Sequence, residues 1–493
     1  MDVVPMTPIS SVKVLRNVPL DNTYKDTLNF TSVSNQISYF TGKAKNTYTG
    51  LAPVKLFNAI RMPVNADYLY DCNYIMFQNA NFGQKWFYAF ISKIEFVNVN
   101  MCTLFFEIDV MQTWMFDYTL KPSMVLREHI NGDTLGANLV SENVDIGYYR
   151  EKRAVRTQMF NLYKAVIGTT YDEDNDPGGY IGGMFTGMNY IPCDVDTPSQ
   201  VTQLKNLLKL MTDANKSESI VSIFMMPSEF YTNGIEPVSK EFSVPKEITK
   251  VGNYTPRNKK LLSYPYNFLY VFTTDGANAI YRYEYFKDGE PCKFFIDCAM
   301  SPNPEIVLTP NNYQEQYYAL DESLTMGGFP QCAYSIDTYR AWLSQNATSI
   351  GLSAIGNMAS GIANPVSGAL GMASTLNGVV MASQRPPMIK GSQGNSTMTG
   401  TRQKDFYFVN KHVSEEYARI IDDYFDMYGY AVNVVKTPNV TGRPSWNYVK
   451  TQDVKIVGSI PFDDMRKIKD NFNSGITFWH GDWVGDYNRV NGG

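Results

Sequence analysis

Hydrophobic positions in the first third of the chain follow the spacing of β-strands. Aromatic and β-branched residues fill 86–98 and 101–110, and Val99-Asn100 between them predicts a hairpin turn. Shorter runs at 11–15 and 32–40 are further predicted strands. We therefore expect a barrel or a sandwich of β-strands in this part of the chain.

The middle third mixes one helical pattern with more strands. Val201 and the leucines that follow it recur at helical spacing through residue 212, and Ser199 is the predicted N-cap. Strand-like runs then follow at 219–226, 264–273, 279–286 and 293–299. This pattern predicts a second β-rich region.

The last 90 residues alternate strands with two helices. After a strand at 404–410, Ser414 caps a helix that Gly429 ends, and apolar positions within it repeat every three or four residues. Strands at 430–436 and 448–460, a helix near 462–472 with Met465, Ile468 and Phe472 on one face, and a strand at 476–480 follow. The order β-α-β-β-α-β predicts a ferredoxin-like unit.

One segment breaks the pattern of the rest. Residues 341–384 contain no Asp, Glu, Lys, Arg or His, although 18% of the chain is charged and about eight charges are expected in 44 residues. Asn364 and Pro365 form a predicted turn between two arms, and each helical arm would extend about 30 Å, the thickness of a bilayer core. The predicted membrane-interacting residues are Leu343, Ile350, Leu352, Ile355, Met358, Ile362, Val366, Leu370, Met372, Leu376, Val379, Val380 and Met381.

Composition leaves three interpretations of this apolar segment open. Small residues at four-residue spacing allow helices to approach closely in a membrane and in a soluble bundle alike. The glycine and serine content makes each arm a weaker membrane span than an ordinary transmembrane helix. The segment is thus a membrane-contacting hairpin, a buried structural hairpin or a flexible linker, and residues 391–401 after it are polar and suited to a hinge.

Charge and composition exclude several classes. Aromatic residues at 14% and hydrophobic residues at 44% exclude general disorder, and a net charge of −5 argues against sequence-specific binding of nucleic acid. No basic stretch followed by an apolar run begins the sequence, so we expect synthesis in a host cytoplasm without a secretory signal. The six cysteines are expected to be free and buried, and a disulfide between Cys292 and Cys298, the one close pair, is the alternative.

The sequence contains no recognisable motif for catalysis or cofactor binding. His129, His412 and His480 are too far apart in sequence to suggest a ligand pair, and we expect structural roles for them. The acidic run 172–178 resembles a calcium loop but has Pro177 where glycine is required, so a solvated acidic turn is favoured over weak calcium binding. We predict no catalytic residues, no metal and no cofactor.

Several unusual stretches resemble one family. Residues 74–83 (YIMFQNANFG), 85–90 (KWFYAF) and 106–117 (FEIDVMQTWMFD) are similar to the N-terminal signature of tail knob proteins from small short-tailed phages of the Picovirinae type that infect Gram-positive bacteria. Residues 17–24, 127–129, 447–449 and 475–480 extend the resemblance. The middle, from about 135 to 340, departs from the family pattern.

The resemblance implies a fold and a set of partners. It implies a mainly β protein with α+β parts, in which tail-tube-like β-barrel modules form a homohexameric tube at the virion tail tip. It also implies contact with an upstream tail or collar protein, and passage of genomic DNA through the lumen without sequence-specific binding. In the family, long hydrophobic loops plug the lumen and then form a pore in the host cytoplasmic membrane; residues 369–374 match that loop.

Four domains and three functional hypotheses follow. We predict a tube-forming domain at 1–135, a knob domain at 136–340, the apolar loop and hinge at 341–401, and a C-terminal α+β domain at 402–493. The leading hypothesis is a non-enzymatic tail knob and tube subunit whose loop penetrates the membrane. The alternatives are a receptor-binding or cell-wall-degrading tail enzyme, and a purely structural tube subunit without membrane activity.

Overall fold

A computed structural model describes most of the chain as two compact units. Unit 1 comprises residues 1–146, 255–261 and 416–493, and unit 2 comprises 147–254 and 262–415. The two are interleaved along the sequence, and the division into four consecutive domains stays a prediction. The described residues are 9–51, 53–54, 58–79, 83, 85–158, 162–170, 180–181, 184–185, 188–214, 216, 219–232, 238–299, 304–329, 331–333, 390–392 and 404–491.

Strands dominate both units. The first strands of unit 1 are β1 (Ile9–Arg16), β2 (Asp26–Leu28), β3 (Ala44–Tyr48), β4 (Pro53–Val54), β5 (Ala59–Met62), β6 (Cys72–Asn79), β7 (Trp86–Asn98), β8 (Met101–Ile108), β9 (Tyr118–Lys121) and β10 (Ser123–Glu128). The strands of unit 2 are β11 (Tyr149–Arg156), β12 (Tyr163–Thr169), β13 (Tyr180–Ile181), β14 (Met184–Phe185), β15 (Asn189–Asp194), β16 (Ile220–Pro227), β17 (Ser239–Val244), β18 (Asn267–Thr273), β19 (Asn278–Tyr281), β20 (Cys292–Ala299), β21 (Glu305–Tyr313), β22 (Gln316–Tyr318), β23 (Leu324–Met326), β24 (Gln331–Ala333), β25 (Lys390–Ser392) and β26 (Phe406–Val413). Unit 1 resumes with β27 (Tyr430–Lys436), β28 (Trp446–Gln452), β29 (Lys455–Gly458) and β30 (Ile476–Trp479).

Helices connect and cover these strands. The described α-helices are α1 (Val33–Gly42), α2 (Ala66–Leu69), α3 (Val110–Trp114), α4 (Pro198–Asp213), α5 (Glu415–Tyr428) and α6 (Phe462–Ser474). The prediction of a mainly β fold with α+β parts is therefore confirmed, while closed tail-tube-like barrel modules stay a prediction.

A seven-stranded sheet of order β3-β1-β6-β7-β8-β5-β4 forms the larger sheet of unit 1. The predicted hairpin is confirmed, because β7 and β8 pair antiparallel around Val99-Asn100. The prediction of a strand at 32–40 is wrong. Ser32 Oγ accepts the Asn35 N–H at 3.2 Å and caps α1 instead, and Val33, Ile37 and Phe40 recur at helical spacing.

The second sheet of unit 1 has the order β2-β30-β28-β10-β27. It corrects the ferredoxin-like prediction, because the first strand of that predicted unit, β26, pairs with β11 and β18 in unit 2. The predicted strand at 448–460 is also two strands, β28 and β29, separated by Asp453 with φ 53°. The predicted order therefore gains one strand, and β26 has a neighbour on each edge within unit 2 instead of a place in this sheet.

Unit 2 contains three larger sheets around one apolar core. Their orders are β11-β26-β18-β19, β15-β12-β16-β24-β25, and β17-β20-β21-β22 with β23 also paired to β21. Aromatic side chains are prominent in the core, among them Tyr281, Phe286, Phe294 and Tyr313, and Phe286 meets Tyr313 edge to face with ring centroids 4.8 Å apart.

Two helix ends test the predicted caps. At α4 the predicted cap Ser199 is wrong, because Thr197 and Gln200 form a reciprocal capping box in which each side chain accepts the other's backbone N–H. At α5 the prediction is confirmed. Gly429 has φ 61° and donates to the Phe425 carbonyl at 2.8 Å, and a Cβ there would lie 2.3 Å from the Glu128 carbonyl.

The cysteines behave as expected where the structure describes their side chains. Cys72, Cys102, Cys193, Cys292 and Cys298 are free and buried. Cys292 and Cys298 lie six residues apart on the single strand β20, a spacing of about 20 Å that excludes a disulfide. Burial raises the pKa of each of these two thiols to about 12.

Candidate functional site at the base of the apolar segment

The chain leaves for the apolar segment and returns from it at one sheet edge. Strand β24 precedes the segment, β25 follows it, and the two pair antiparallel with Cys332 opposite Gly391. On its other side β24 pairs with β16, where Ile223 lies opposite Cys332. Because β16 is buried along nearly its whole length, the two strands on either side of residues 334–389 continue a sheet that reaches the unit 2 core. We call β24 and β25 the stem.

A buried lysine links the chain on both sides of the stem. The Lys404 side chain is fully buried, and its Nζ lies 2.5 Å from Asp275 Oδ1 and donates to the Gly327 carbonyl. Asp275 Oδ2 also accepts the Gly327 N–H at 3.1 Å. Burial lowers the pKa of Lys404, and the hydrogen bond to Asp275 opposes that change. Lys404, Asp275 and Gly327 thus form a polar cluster in which each residue bonds to the other two, which we call the clamp.

The residue after Lys404 forms a second tie. Asp405 accepts hydrogen bonds from Thr157 Oγ1 and from the Gln158 N–H, both at 3.1 Å. Burial raises the pKa of Asp405, while the bond from Thr157 and the charge of Arg156 oppose the rise. The returning chain is therefore held to the end of β11 before it enters β26.

The stem, the clamp and the Asp405 tie are suited to anchoring rather than to chemistry. Their polar groups bond to one another and to backbone, and the histidines lie elsewhere. Within the described ranges, no group of three or more His, Cys, Asp or Glu side chains is placed to hold a metal ion. The arrangement fixes both ends of a long excursion against a packed sheet.

Comparison with known families decides the class of protein. Residues 229–492, more than half of the chain, match the family described as the C-terminal domain of tail knob protein gp9 of Bacillus phage phi29. The chain belongs to the phage tail knob protein family. Residues 8–119, which include the seven-stranded sheet, also match the family described as the N-terminus of caudoviral major tail proteins.

Individual tail knob proteins match over nearly the whole chain. It is 27% identical to tail knob protein gp9 of Bacillus phage phi29 and 28% identical to the protein of the same name from Bacillus phage B103, in each case over 98% of both sequences. The structure of the bacteriophage C1 tail knob protein, gp12, matches with a TM-score of 0.60 at 15% identity over 96% of this chain and 97% of that one. This second likeness shows a shared fold.

Family membership confirms the resemblance found in the sequence. The chain is a structural component of a phage virion tail and not an enzyme. The two terminal stretches that carry the resemblance both lie in unit 1, as strands β6 to β8 and as β28 and β30.

The predicted membrane-interacting residues lie outside the described residues. This applies to every one of them from Leu343 to Met381 and to the predicted turn at Asn364 and Pro365. Of the predicted hinge at 391–401, only Gly391 and Ser392 are described, as part of β25. The acidic run at 172–178 is outside as well. Among the helices that are described, none has the length and hydropathy needed to cross a bilayer.

Two of the histidines have clear structural roles. His129 is buried, and its Nδ1 accepts a hydrogen bond from the Tyr448 N–H at 2.8 Å. Its Nε2 lies 3.0 Å from the Asp426 carbonyl oxygen. Burial and the nearby Arg443 lower its pKa to about 3. His480 lies 2.8 Å from Asn447 Nδ2, and burial lowers its pKa also.

Sequence reasoning missed the clamp. Lys404 and Asp275 are separated by 129 residues, and neither belongs to a motif. The weak signal available was the Lys404-Asp405 pair close behind the uncharged and polar residues 391–401. A charge pair at the point where an excursion rejoins a packed core is a candidate anchor, because a buried charge requires a partner.

Proposed function

We propose that this tail knob protein forms a homohexameric tube at the virion tail tip, joined to an upstream tail or collar protein. The genome passes through the lumen without sequence-specific binding, and the net charge of −5 agrees with weak attraction for DNA. The apolar loop of each subunit plugs the lumen, then leaves it and forms a pore in the host cytoplasmic membrane. The protein is made in the host cytoplasm.

The proposed membrane role rests on the charge-free segment, which lies between the two strands of the stem. Residues 341–384 carry no ionisable side chain, and the stem returns the chain to the strand next to the one that it left. A helical hairpin satisfies its own backbone in lipid. Six hairpins whose small residues pack together insert more favourably than one, because each arm alone is weakly apolar.

Dye release from liposomes tests the membrane role. We expect the assembled protein to release a trapped dye, and a variant in which a short Gly-Ser linker replaces residues 343–383 to release none. This variant keeps both stem strands and the clamp, so we expect it to assemble like the parent. Light scattering measures the number of subunits in each case.

A matched pair of double variants separates the effect of hydrophobicity on dye release from the effect of loop length. Leu352→Asp with Leu376→Asp places charge in both arms, and we expect at least a tenfold loss of release, since a charged side chain in a bilayer costs about 2.5–3.5 kcal/mol. Leu352→Met with Leu376→Met should release dye like the parent. Undiminished release by the linker variant contradicts the membrane role of the loop, and a parent that releases no dye leaves a purely structural tube subunit. A monomeric parent protein contradicts the hexamer.

A further inference from the structure

Unit 2 contains a polar pocket beside the turn of the β21–β22 hairpin. It has a volume of about 480 Å³, within the range of about 300–1,000 Å³ that is usual for small-molecule sites. One wall is the segment 284–288, and the other is formed by Asn312, Gln314 and Glu315. The pocket is therefore large enough for a small organic ligand.

Backbone hydrogen bonds fix the two walls to each other. The Lys287 N–H donates to the Asn312 carbonyl at 3.1 Å, and the Gln314 N–H donates to the Tyr285 carbonyl at 2.8 Å. On the segment 284–288, Lys246 Nζ also donates to the Lys287 carbonyl at 2.9 Å. The pocket is thus preformed, and a ligand does not have to order its backbone on binding.

The turn in the second wall has residues that are unusual for its shape. Tyr313 pairs with Gln316, and Gln314 and Glu315 between them both have positive φ, 51° and 64°. A two-residue hairpin turn with this backbone normally contains Asn-Gly or Asp-Gly, because glycine adopts the conformation without strain. Long polar side chains are present here at a cost in stability, which is common at ligand-binding sites.

Most polar side chains of the lining have no partner within the chain. Among the residues that the structure describes, four of them make no side-chain hydrogen bond or ion pair: Asp288, Asn312, Gln314 and Glu315. Lys287 is paired with Glu290 at 2.5 Å. Carboxylates and amides accept hydrogen bonds, and amides also donate them. These side chains are therefore available to a ligand that has many hydroxyl groups.

Aromatic rings follow the pocket along β22. Tyr317 is 64% exposed and lies two residues after Glu315, which is about 7 Å along the strand. Its ring centroid is 5.6 Å from that of Phe295, and the Phe295 ring is stacked on Tyr318 at 4.4 Å with 6° between the planes. This cluster places a flat, exposed aromatic surface next to the polar pocket.

We infer that the pocket and the Tyr317 ring together bind a saccharide. The hydroxyls of a sugar donate to the carboxylates and exchange hydrogen bonds with the amides, while the C–H face of a sugar ring packs on the tyrosine. A saccharide of more than one ring reaches both places. The two contacts use the two kinds of surface that a sugar presents.

Other classes of ligand fit this lining less well. The carboxylates of Glu284, Asp288 and Glu315 repel phosphate and other anions. Phe286, the purely apolar residue of the lining, is 2% exposed, which leaves little for a lipid chain to contact. Within the described ranges, no group of three or more acidic, histidine or cysteine side chains is placed to hold a metal ion.

This inference goes beyond the proposed function. A saccharide site in a tail-tip protein holds the tail against a surface that carries carbohydrate. Six copies bind such a surface more tightly than one, because the later contacts are intramolecular. That gain rests on the proposed hexamer, whereas the site itself needs neither the hexamer nor the membrane loop.

Binding of trisaccharides by the full chain tests the site. The probes are maltotriose, cellotriose and tri-N-acetylchitotriose, with spermidine as a cation and inorganic phosphate as an anion. We expect at least one trisaccharide to bind a single site per subunit with a Kd of about 1 mM or lower, measured by calorimetry and by saturation-transfer NMR. Neither spermidine nor phosphate should displace it.

Two variants with matched controls locate the binding site. Tyr317→Ala and Glu315→Gln should each raise the Kd at least tenfold. Tyr70→Ala, at a position 82% exposed in unit 1, and Glu241→Gln, exposed on β17 of the same sheet, should leave the Kd unchanged. Thermal unfolding confirms that each variant is folded.

Three outcomes contradict this inference. They are the failure of all three trisaccharides to bind, binding that neither Tyr317→Ala nor Glu315→Gln weakens, and binding of spermidine at this pocket in place of a saccharide. Dye release and the number of subunits are measured separately, so each of these outcomes leaves the proposed function intact.

Discussion

The two units hold sequence-distant segments in place by different means. Unit 1 fixes residues 255–261 against α5 through a network in which several buried polar groups share partners. Unit 2 fixes the two ends of the apolar excursion through three residues of strand pairing on each side, one buried lysine and the Asp405 tie. A network that shares partners resists the loss of peripheral members, whereas the unit 2 base depends on few groups.

The unit 1 network centres on Asp422. Its carboxylate is fully buried and accepts the N–H groups of Arg257 and Asn258 at 2.8 and 3.0 Å, and the Asn258 side chain at 2.8 Å. Arg257 also pairs with Asp426 at 2.7 Å. Asp422 thus holds both Arg257 and Asn258, and Asp426 is a second acceptor for each of them.

Removing Asp422 should give the largest effect. Asp422→Ala leaves the buried Asn258 N–H and the partly buried Arg257 N–H without an acceptor, and it leaves Arg257 with Asp426 as its remaining buried partner. We expect about 3–5 kcal/mol less stability for unit 1, measured by denaturant unfolding with hydrogen exchange to locate the change. Asp423 is the matched control because it also pairs with Arg257 but is 66% exposed, so Asp423→Ala should cost under about 1 kcal/mol. Equal losses in the two variants would contradict the network.

Breaking the clamp should give a smaller and more local effect. Lys404→Met keeps the length of the side chain but removes the ion pair and the bond to Gly327, and we expect a loss of about 2 kcal/mol in unit 2. Lys240 and Glu229 form an ion pair of the same 2.5 Å length but are 35% and 40% exposed; Lys240→Met should therefore change stability by less than about 1 kcal/mol.

Limited proteolysis measures whether that loss is local. In Lys404→Met, cleavage close to the stem should accelerate at least tenfold while cleavage in unit 1 keeps its rate. Uniform acceleration across both units would show that the clamp supports the whole fold instead of the stem.

His129 should make the stability of unit 1 depend on pH. Its folded pKa is lowered to about 3, and an unfolded histidine has a pKa near 6.5. The unfolded chain therefore binds the proton first, and stability falls as pH drops from about 6.5 to 3, by up to about 1.4 kcal/mol per pH unit. Buried carboxyls with raised pKa, such as Asp109 at about 6, act in the opposite direction.

A difference measurement isolates this contribution. The stability of the parent minus that of His129→Gln, followed between pH 7.5 and 4, removes the contributions shared by both proteins. We expect this difference to shrink steadily below pH 6.5. A difference that stays constant with pH would mean that His129 does not titrate between the folded and unfolded states as stated.

The sequence predicted those elements whose information is local. The β7–β8 hairpin, the end of α5 at Gly429 and the apolar face of α6 with Ile468 and Phe472 buried all follow from spacing and from turn or cap residues. Ser32 shows how such local evidence can mislead, since a β-rich composition favoured a strand where a cap and helical spacing direct a helix.

The sequence could not predict which strands and side chains pair with each other, because these pairs join residues that are far apart in the chain. The pattern of β26 predicts a buried strand but does not say that β11 and β18 flank it. Residues 255–261 carry no signal for their place beside α5, and Lys404 carries none for Asp275. The unusual charge-free composition identified the apolar segment, whereas the stem required three-dimensional pairing between residues 331–333 and 390–392.

The stem has a consequence for how this family can diversify and how the chain can be engineered. Because the insert begins and ends on neighbouring strands, its length can change without moving the sheet to which it is attached. Each doubling of a flexible loop adds only about 0.6 kcal/mol of closure entropy. The position between Ala333 and Lys390 is therefore a natural graft site, where an unrelated peptide can replace the native one while the carrier protein keeps its fold.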